Sequence, residues 1–184
     1  MRKNRPDTAG MTKTALCTAL LCVSSYLVIP LPFTPVVLSL HTVVVNLIGL
    51  ILKPRQAAGT LLLYLAMGLI GLPVFSGGTG GPGKLFGPTG GYYFGFLAAV
   101  ILMSLLVQKK SGFGRNLLVT ICVGLPVQHL AAILFMCFHN GFNLAAAAVT
   151  VSLPFIPGDV LKCLAASVVG TALNRVLARS SATI

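Results

Sequence analysis

Two charged residues three positions apart, Asp159 and Lys162, stand inside the apolar stretch LPFIPGDVLKCLAA, residues 153–166. The only other acid in the chain is Asp7, in the polar N-terminal tail, and there is no Glu. A charge inside a membrane-like segment is costly, so it is usually paired and tied to function. Residues three apart share a helix face. An ionised Asp only accepts hydrogen bonds and a Lys only donates them. Together they suit a small ligand offering both N–H and C=O groups, such as an amide, a urea or a carboxylated ring. The plainer reading makes Asp159 the residue that opens a helix after Pro157-Gly158, favoured by the helix dipole and paired with Lys162 within the helix. Depth weighs against it, because a pair serving only a helix end is cheaper at a solvated surface.

No catalytic set accompanies this pair. Two carboxylates at positions 7 and 159, one of them in a polar tail, give no acid/base dyad, and no nucleophile motif is present. The five cysteines, Cys17, Cys22, Cys122, Cys137 and Cys163, all fall in apolar runs without a CxxC pair or a His cluster, so they read as small hydrophobes, and neither a metal nor a cofactor is expected. Gly78 to Lys84 (GTGGPGK) matches the first seven positions of a phosphate-binding P-loop. Leu85 then stands where Ser or Thr must hold magnesium, which excludes a nucleotide site.

A second candidate element is the segment GGTGGPGKLFGPTGG, residues 77–91, in which eight of fifteen residues are Gly and two are Pro. Such a loop allows close backbone approach and offers N–H groups to anionic or carbonyl oxygens. A pure connector would favour Ser and charge. This one is bounded by LPVF (72–75) and by Tyr92-Tyr93-Phe94, so it is expected to pack back onto the bundle, with Tyr92 and Tyr93 able to stack on a ligand or bond to it. His41, Asn46, Gln128 and His129 are further polar groups in apolar runs. A Gln-His pair there is more often an interhelical hydrogen-bond partner than a ligand contact.

These residues need a membrane bundle to hold them. Of the 184 residues 56% are hydrophobic and 8% charged, and the mean hydropathy is +0.96. A chain this apolar reads as one integral membrane domain, residues 1–184, with residues 1–13 a basic tail. Five apolar runs have spanning length: 14–30, 36–52, 57–75, 90–107 and 117–138; a sixth covers about 158–177. The stretch 144–156 is too short and carries Pro154, so it is expected as a short outer helix or a partial re-entry.

The formal charge of +11 does not point to nucleic acid, because no basic stripe with interleaved aromatics occurs. Eleven of the thirteen Lys and Arg residues sit at the ends of apolar runs, among them Lys13, Lys53, Arg55, Lys109, Lys110, Arg115, Arg175 and Arg179. The positive-inside rule then puts both termini in the cytoplasm and demands an even number of spans. Six satisfy it: an all-α six-helix bundle whose outer loops, 31–35, 76–89 and 139–157, hold one basic residue, Lys84. No small-x-small site closes the first apolar run, so a retained first helix is expected rather than a cleaved leader. The functional reading is a ligand pocket near the outer face, walled by the sixth span and roofed by loops 31–35 and 76–89. A membrane-embedded enzyme is the reading from another class, and the scarcity of acid/base groups stands against it.

The segments GLPVFSGGTGGPGKLFGPTGGYYFGF (71–96) and LPFIPGDVLKCLAA (153–166) resemble the BioY family, the biotin-specific substrate-binding S components of energy-coupling factor (ECF) transporters. The resemblance implies high-affinity biotin binding and uptake at the plasma membrane. It also implies docking onto a membrane T component that works with two cytosolic ATPase subunits. By this resemblance Asp159 and Lys162 match the binding pair, and Tyr92 matches the aromatic after GPTGG. Thr79, with Gly78 beside it, falls in the glycine loop where relatives often place Asn; Gly91 closes that loop. Ala15 and Ala19 match the small AxxxA pattern used for docking, since small residues on one face permit close helix approach. His41 stands where Gln is usual, and with Thr79 it leaves an S component for a different vitamin as the alternative; Lys53 stands where Gly is usual and adds a cytoplasmic positive charge. For biotin, Asp159 would accept from the ureido ring and Lys162 would donate to its carbonyl. The valerate carboxylate would then meet loop N–H groups or Lys84. The reverse pose, with Lys162 on the carboxylate, satisfies the same chemistry.

Overall fold

In the computed structural model the described residues are 8–29, 38–107 and 111–180. The basic residues Arg2, Lys3 and Arg5, Asp7, the loop 31–35 and the Lys109-Lys110 pair lie outside them. Among the described residues the architecture is all-helical apart from one two-residue antiparallel pairing and an isolated bridge between Phe75 and Thr79. In chain order the elements are α1 (Thr8–Ser24), β1 (Val28–Ile29), β2 (Leu38–Ser39), α2 (His41–Ile51), α3 (Pro54–Leu69), α4 (Pro82–Leu85), α5 (Gly90–Leu106), α6 (Phe113–Val119), α7 (Leu125–Asn140), α8 (Leu144–Val151) and α9 (Ile156–Ser180).

Several boundaries differ from the sequence expectation, each for a local reason. The first span was expected to reach residue 30, but α1 stops at Ser24. There the Ser24 and Ser25 hydroxyls donate to the carbonyls of Leu21 and Cys22 at 2.7 and 2.6 Å, and the β-branched pair Val28-Ile29 goes into β1, opposite Ser39 and Leu38. The second span was expected over 36–52, yet α2 begins only at His41 and its eleven residues rise about 16 Å. The third was expected to run to residue 75, but Gly71 takes φ +97° and Pro73 follows, which ends α3 at Leu69. The short segment expected at 144–156 is a helix over Leu144–Val151, opened by Asn143, whose side chain accepts from the Ala146 N–H at 2.7 Å.

The fifth span is not one regular helix. Pro126 has no N–H to give to the carbonyl four residues back, and between α6 and α7 the chain makes a π-helical turn over Thr120–Gly124, with the Leu125 N–H reaching back to the Thr120 carbonyl. The widened turn sits against a column of buried polar groups. Asn46 on α2 accepts from Gln128 at 3.0 Å and donates to the Cys163 sulfur at 3.4 Å; Thr120 meets Ser167 at 3.2 Å; Asn116 donates to Thr171 at 2.8 Å. Such contacts supply directional adhesion between helices in lipid, where burial of apolar surface drives nothing.

The core is apolar and aromatic around Leu21, Val45, Leu61, Tyr64, Phe75 and Val100. Outward-facing Leu105, Leu118, Leu130, Phe138, Leu161 and Val168 are exposed, as lipid-facing side chains are. Phe113–His139 and Ile156–Leu177 are long and apolar enough to cross a membrane. α5 packs most extensively on α7. The approach is close because Gly91 and Gly95, one turn apart on α5, face α7: a Cβ on Gly91 would lie 2.8 Å from both the Ala131 oxygen and the Ala132 Cα, and one on Gly95 would lie 3.1 Å from the Gln128 Cα.

Candidate functional site

The glycine-rich segment forms a folded roof. Phe75 and Thr79 pair across a tight turn in which Gly77 and Gly78 take φ +81° and +67°, a conformation that favours glycine. The Gly77, Thr79 and Gly81 N–H groups donate to Ser25, Phe75 and Gly68 carbonyls at 2.8, 3.2 and 2.7 Å. Amides expected to receive a ligand are therefore engaged by the protein, and they tie the roof to α1 and α3. Tyr26 seals the edge: its ring lies against Gly78 and its hydroxyl donates to the Pro73 carbonyl at 2.8 Å.

Beneath this roof lies a cavity of about 50 Å³, partly open to solvent. Its aromatic walls are Tyr92, Tyr93 and Phe96 from α5, with Phe155 from the turn before α9. Ser39, Thr42, Ser76 and Thr89 add hydroxyls, and Lys84, Asp159 and Lys162 add charge. Small-ligand sites have this character, largely apolar with a few placed polar groups.

Asp159 does not open its helix, contrary to the plainer sequence expectation. α9 starts at Ile156 with Pro157 in its first turn, and the Asp159 N–H already donates to the Phe155 carbonyl at 2.8 Å. Its carboxylate turns sideways into the protein, 5% exposed, and meets two donors. Lys162 Nζ lies 2.7 Å from Oδ1, and His129 Nε2, on α7, lies 3.1 Å from Oδ2. The other ring nitrogen of His129 is 3.3 Å from the Tyr92 hydroxyl, which also bonds the Val151 carbonyl on α8. The structure thus joins α5, α7, α8 and α9 in one buried polar cluster at the cavity wall. Asp159 is the only acid among the described residues and its charge is matched by Lys162, which leaves half-buried Lys84 with no acidic partner among them.

The remaining candidates fall elsewhere. Thr79 is exposed, its hydroxyl donating to the Ser76 carbonyl at 3.1 Å, and neither it nor Gly78 lines the cavity. Gly91 is buried in the contact with α7, behind the cavity wall. His41 is fully buried between Tyr64 and Phe96, with ring centroids 5.2 and 5.9 Å away, one layer behind the wall. Ala15 and Ala19 are exposed on α1, and Ala15 borders a groove with Met11, Arg55 and Leu63. Sequence reasoning did not link His129 to Asp159, because a separation of thirty positions carries no periodic signal; the close glycine crossing of α5 on α7 is what brings the ring beside Tyr92.

Comparison with known proteins gives a consistent result. A sequence model described as the BioY family matches residues 1–179. The chain is 35% identical to the biotin transporter BioY2 of Lactococcus lactis subsp. cremoris, over 94% of this chain and 93% of that protein. It is 30% identical to the biotin transporter BioY of Thermotoga maritima, over 90% and 95% respectively. Among solved structures, the crystal structure at 2.1 Å of the S-component for biotin from an ECF-type ABC transporter superposes with a TM-score of 0.85 at 27% identity, covering 95% of each chain.

Proposed function

The chain belongs to the BioY family, and we propose that it captures biotin in the cavity bounded by Asp159 and Lys162 as the S component of an energy-coupling factor transporter. It is a transporter component and not an enzyme. The observation that carries the site is the buried carboxylate beside an ammonium on an aromatic wall. Biotin's ureido ring presents two N–H donors and one strong carbonyl acceptor in a flat bicycle. Asp159 is the acceptor for the ring N–H groups, Lys162 donates to the carbonyl, and the Tyr92, Tyr93 and Phe96 rings cover the apolar faces. Each Asp159 oxygen is already engaged once, which leaves a lone-pair site on each for the ligand.

Calorimetric titration of the purified protein in detergent tests the reading. Biotin is expected to bind tightly at one site, and thiamine and riboflavin are expected not to compete. Heat with either of those vitamins and none with biotin would transfer the chain to another vitamin's S component.

Lys84 is the group for the valerate carboxylate, because the cavity's other cation is committed to Asp159. The neutral amide of biotin separates this pose from its reverse. Lys84→Ala is expected to weaken biotin roughly tenfold, the scale of one charged hydrogen bond, while leaving biotinamide affinity nearly unchanged. A Lys162→Ala protein that showed that selectivity instead would establish the reverse pose.

The chain alternation supports the topology. The cavity lies where α2, α5 and α9 begin, whereas Lys53, Arg55 and Arg115 flank the opposite ends of their helices. With those basic ends in the cytoplasm, the cavity opens outward and both termini face inward at the plasma membrane. The six crossings are then α1, α2, α3, α5, the α6–α7 unit and α9. Energy for uptake comes from partners: a T component, which meets the exposed Ala15–Ala19 face of α1, and two cytosolic ATPase subunits.

A further inference from the structure

Three polar side chains on three helices meet in a line at the cavity wall, and the middle one does not reach the cavity. Tyr92 and Asp159 both line it; His129, 5% exposed, stands behind them with one ring nitrogen directed to each, 3.3 Å from the Tyr92 hydroxyl and 3.1 Å from Asp159 Oδ2. We infer that His129 is a positioning residue for biotin binding: from behind the wall it fixes the carboxylate of Asp159 and the phenol of Tyr92 in the orientation that the ureido ring meets. This rests on the proposed biotin site.

The physical argument is one of rotamers and donors. Lys162, on the same helix as Asp159, fills one carboxylate oxygen, but a flexible four-carbon stem does not define the plane of the carboxylate. A second donor on the other oxygen, from a different helix and a rigid ring, does define it. With a proton on Nε2 the ring donates to Asp159, and Nδ1 lies beside the Tyr92 hydroxyl, whose single proton is shared between that nitrogen and the Val151 carbonyl, so the ring couples the two wall groups. The polar groups bonded to the ring are Asp159 from α9 and Tyr92 from α5, and neither could replace its bridge. The ring is held at this height by the Gly91 and Gly95 crossing, which places α7 against the turn that carries Tyr92.

The test compares His129→Phe, which keeps a ring without donors, with His129→Gln, which keeps an N–H near the position of Nε2. Both are combined with Asp159→Asn, and all proteins are checked for an unchanged elution profile and melting temperature. Calorimetry is expected to show His129→Phe weakening biotin about tenfold or more, and His129→Gln recovering to within about threefold of wild type. The His129→Phe/Asp159→Asn pair is expected to lose little beyond Asp159→Asn alone, because the ring acts through that carboxylate. Wild-type affinity in His129→Phe overturns the inference. So do equal losses in the Phe and Gln proteins, or losses in the double variant that simply multiply. If the unmodified protein does not bind biotin at all, the site assignment falls first and takes this inference with it.

Discussion

Asp159→Asn is expected to lower biotin affinity about a hundredfold or more by calorimetric titration. The substitution hardly changes shape, and its effect is in charge and donor count. The carboxylate receives Lys162 on one oxygen and His129 on the other. A carboxamide places an NH2 donor where one of these oxygens stood, so that a donor faces a donor. It also removes the charged acceptor that a ureido N–H would meet. Hydrogen bonds to charged groups are worth roughly 1.5–3 kcal/mol each, and about 1.4 kcal/mol is a factor of ten, so losing one ligand bond and misaligning the rest reaches a hundredfold. Lys162 is left as a half-buried ammonium without its carboxylate partner, which lowers stability as well. The two effects separate in a double variant: Asp159→Asn with Lys162→Met is expected to recover much of the lost melting temperature without recovering biotin binding. An Asp159→Asn protein with affinity within a few-fold of wild type would take Asp159 out of the ligand's first contacts.

How much of this site is legible in the sequence follows from what each group needs from its neighbours. Asp159 and Lys162 stand out because charge is so rare here that one acid in an apolar run carries most of the functional signal. Their mutual contact is a same-face spacing and needs no tertiary information. The bundle's apolar runs are equally plain, since lipid imposes length and hydropathy on each crossing. The failures lie where tertiary contacts override a local tendency. Residues 25–29 and 38–40 are apolar enough to continue helices, but two serine side chains turn back onto the end of α1 and β1 pairs with β2. Pro126 carried the signal for the π turn, because a proline inside a spanning run always removes one backbone bond. The roles of Thr79 and Gly91 depend on direction. One side chain is turned back onto Ser76, and the other position is a helix contact whose glycine spacing with Gly95 was readable as a close crossing. His129 bonds to a residue thirty positions further along the chain, and only the assembled bundle reveals it.

That crossing makes the second strong prediction. Gly91→Leu is expected to lower the melting temperature in detergent by about 5 °C or more and to abolish measurable biotin binding, although Gly91 does not line the cavity. A Cβ at this position would lie 2.5 Å from Phe135 Cβ and 2.8 Å from the Ala131 carbonyl oxygen and the Ala132 Cα. Two of those three atoms belong to the α7 main chain, so no rotamer change relieves the overlap and the helix itself must withdraw. Association of helices in lipid depends on close contact, so a displaced interface has no compensating hydrophobic term to restore it. Withdrawal of α7 moves His129 away from both Tyr92 and Asp159, whose hydrogen bonds to the ring span 3.3 and 3.1 Å and tolerate little extension. Binding should therefore fall together with stability in a graded series, Gly91→Ala less than Gly91→Leu. Gly59→Ala provides the control: it sits inside α3, a Cβ there meets nothing within 4 Å, and the change trades glycine for a better helix former, so melting temperature and biotin affinity should both hold. A Gly91→Leu protein that melts and binds like wild type would show that α5 and α7 are not in close contact at this point, and the geometry linking His129 to the cavity wall would go with it.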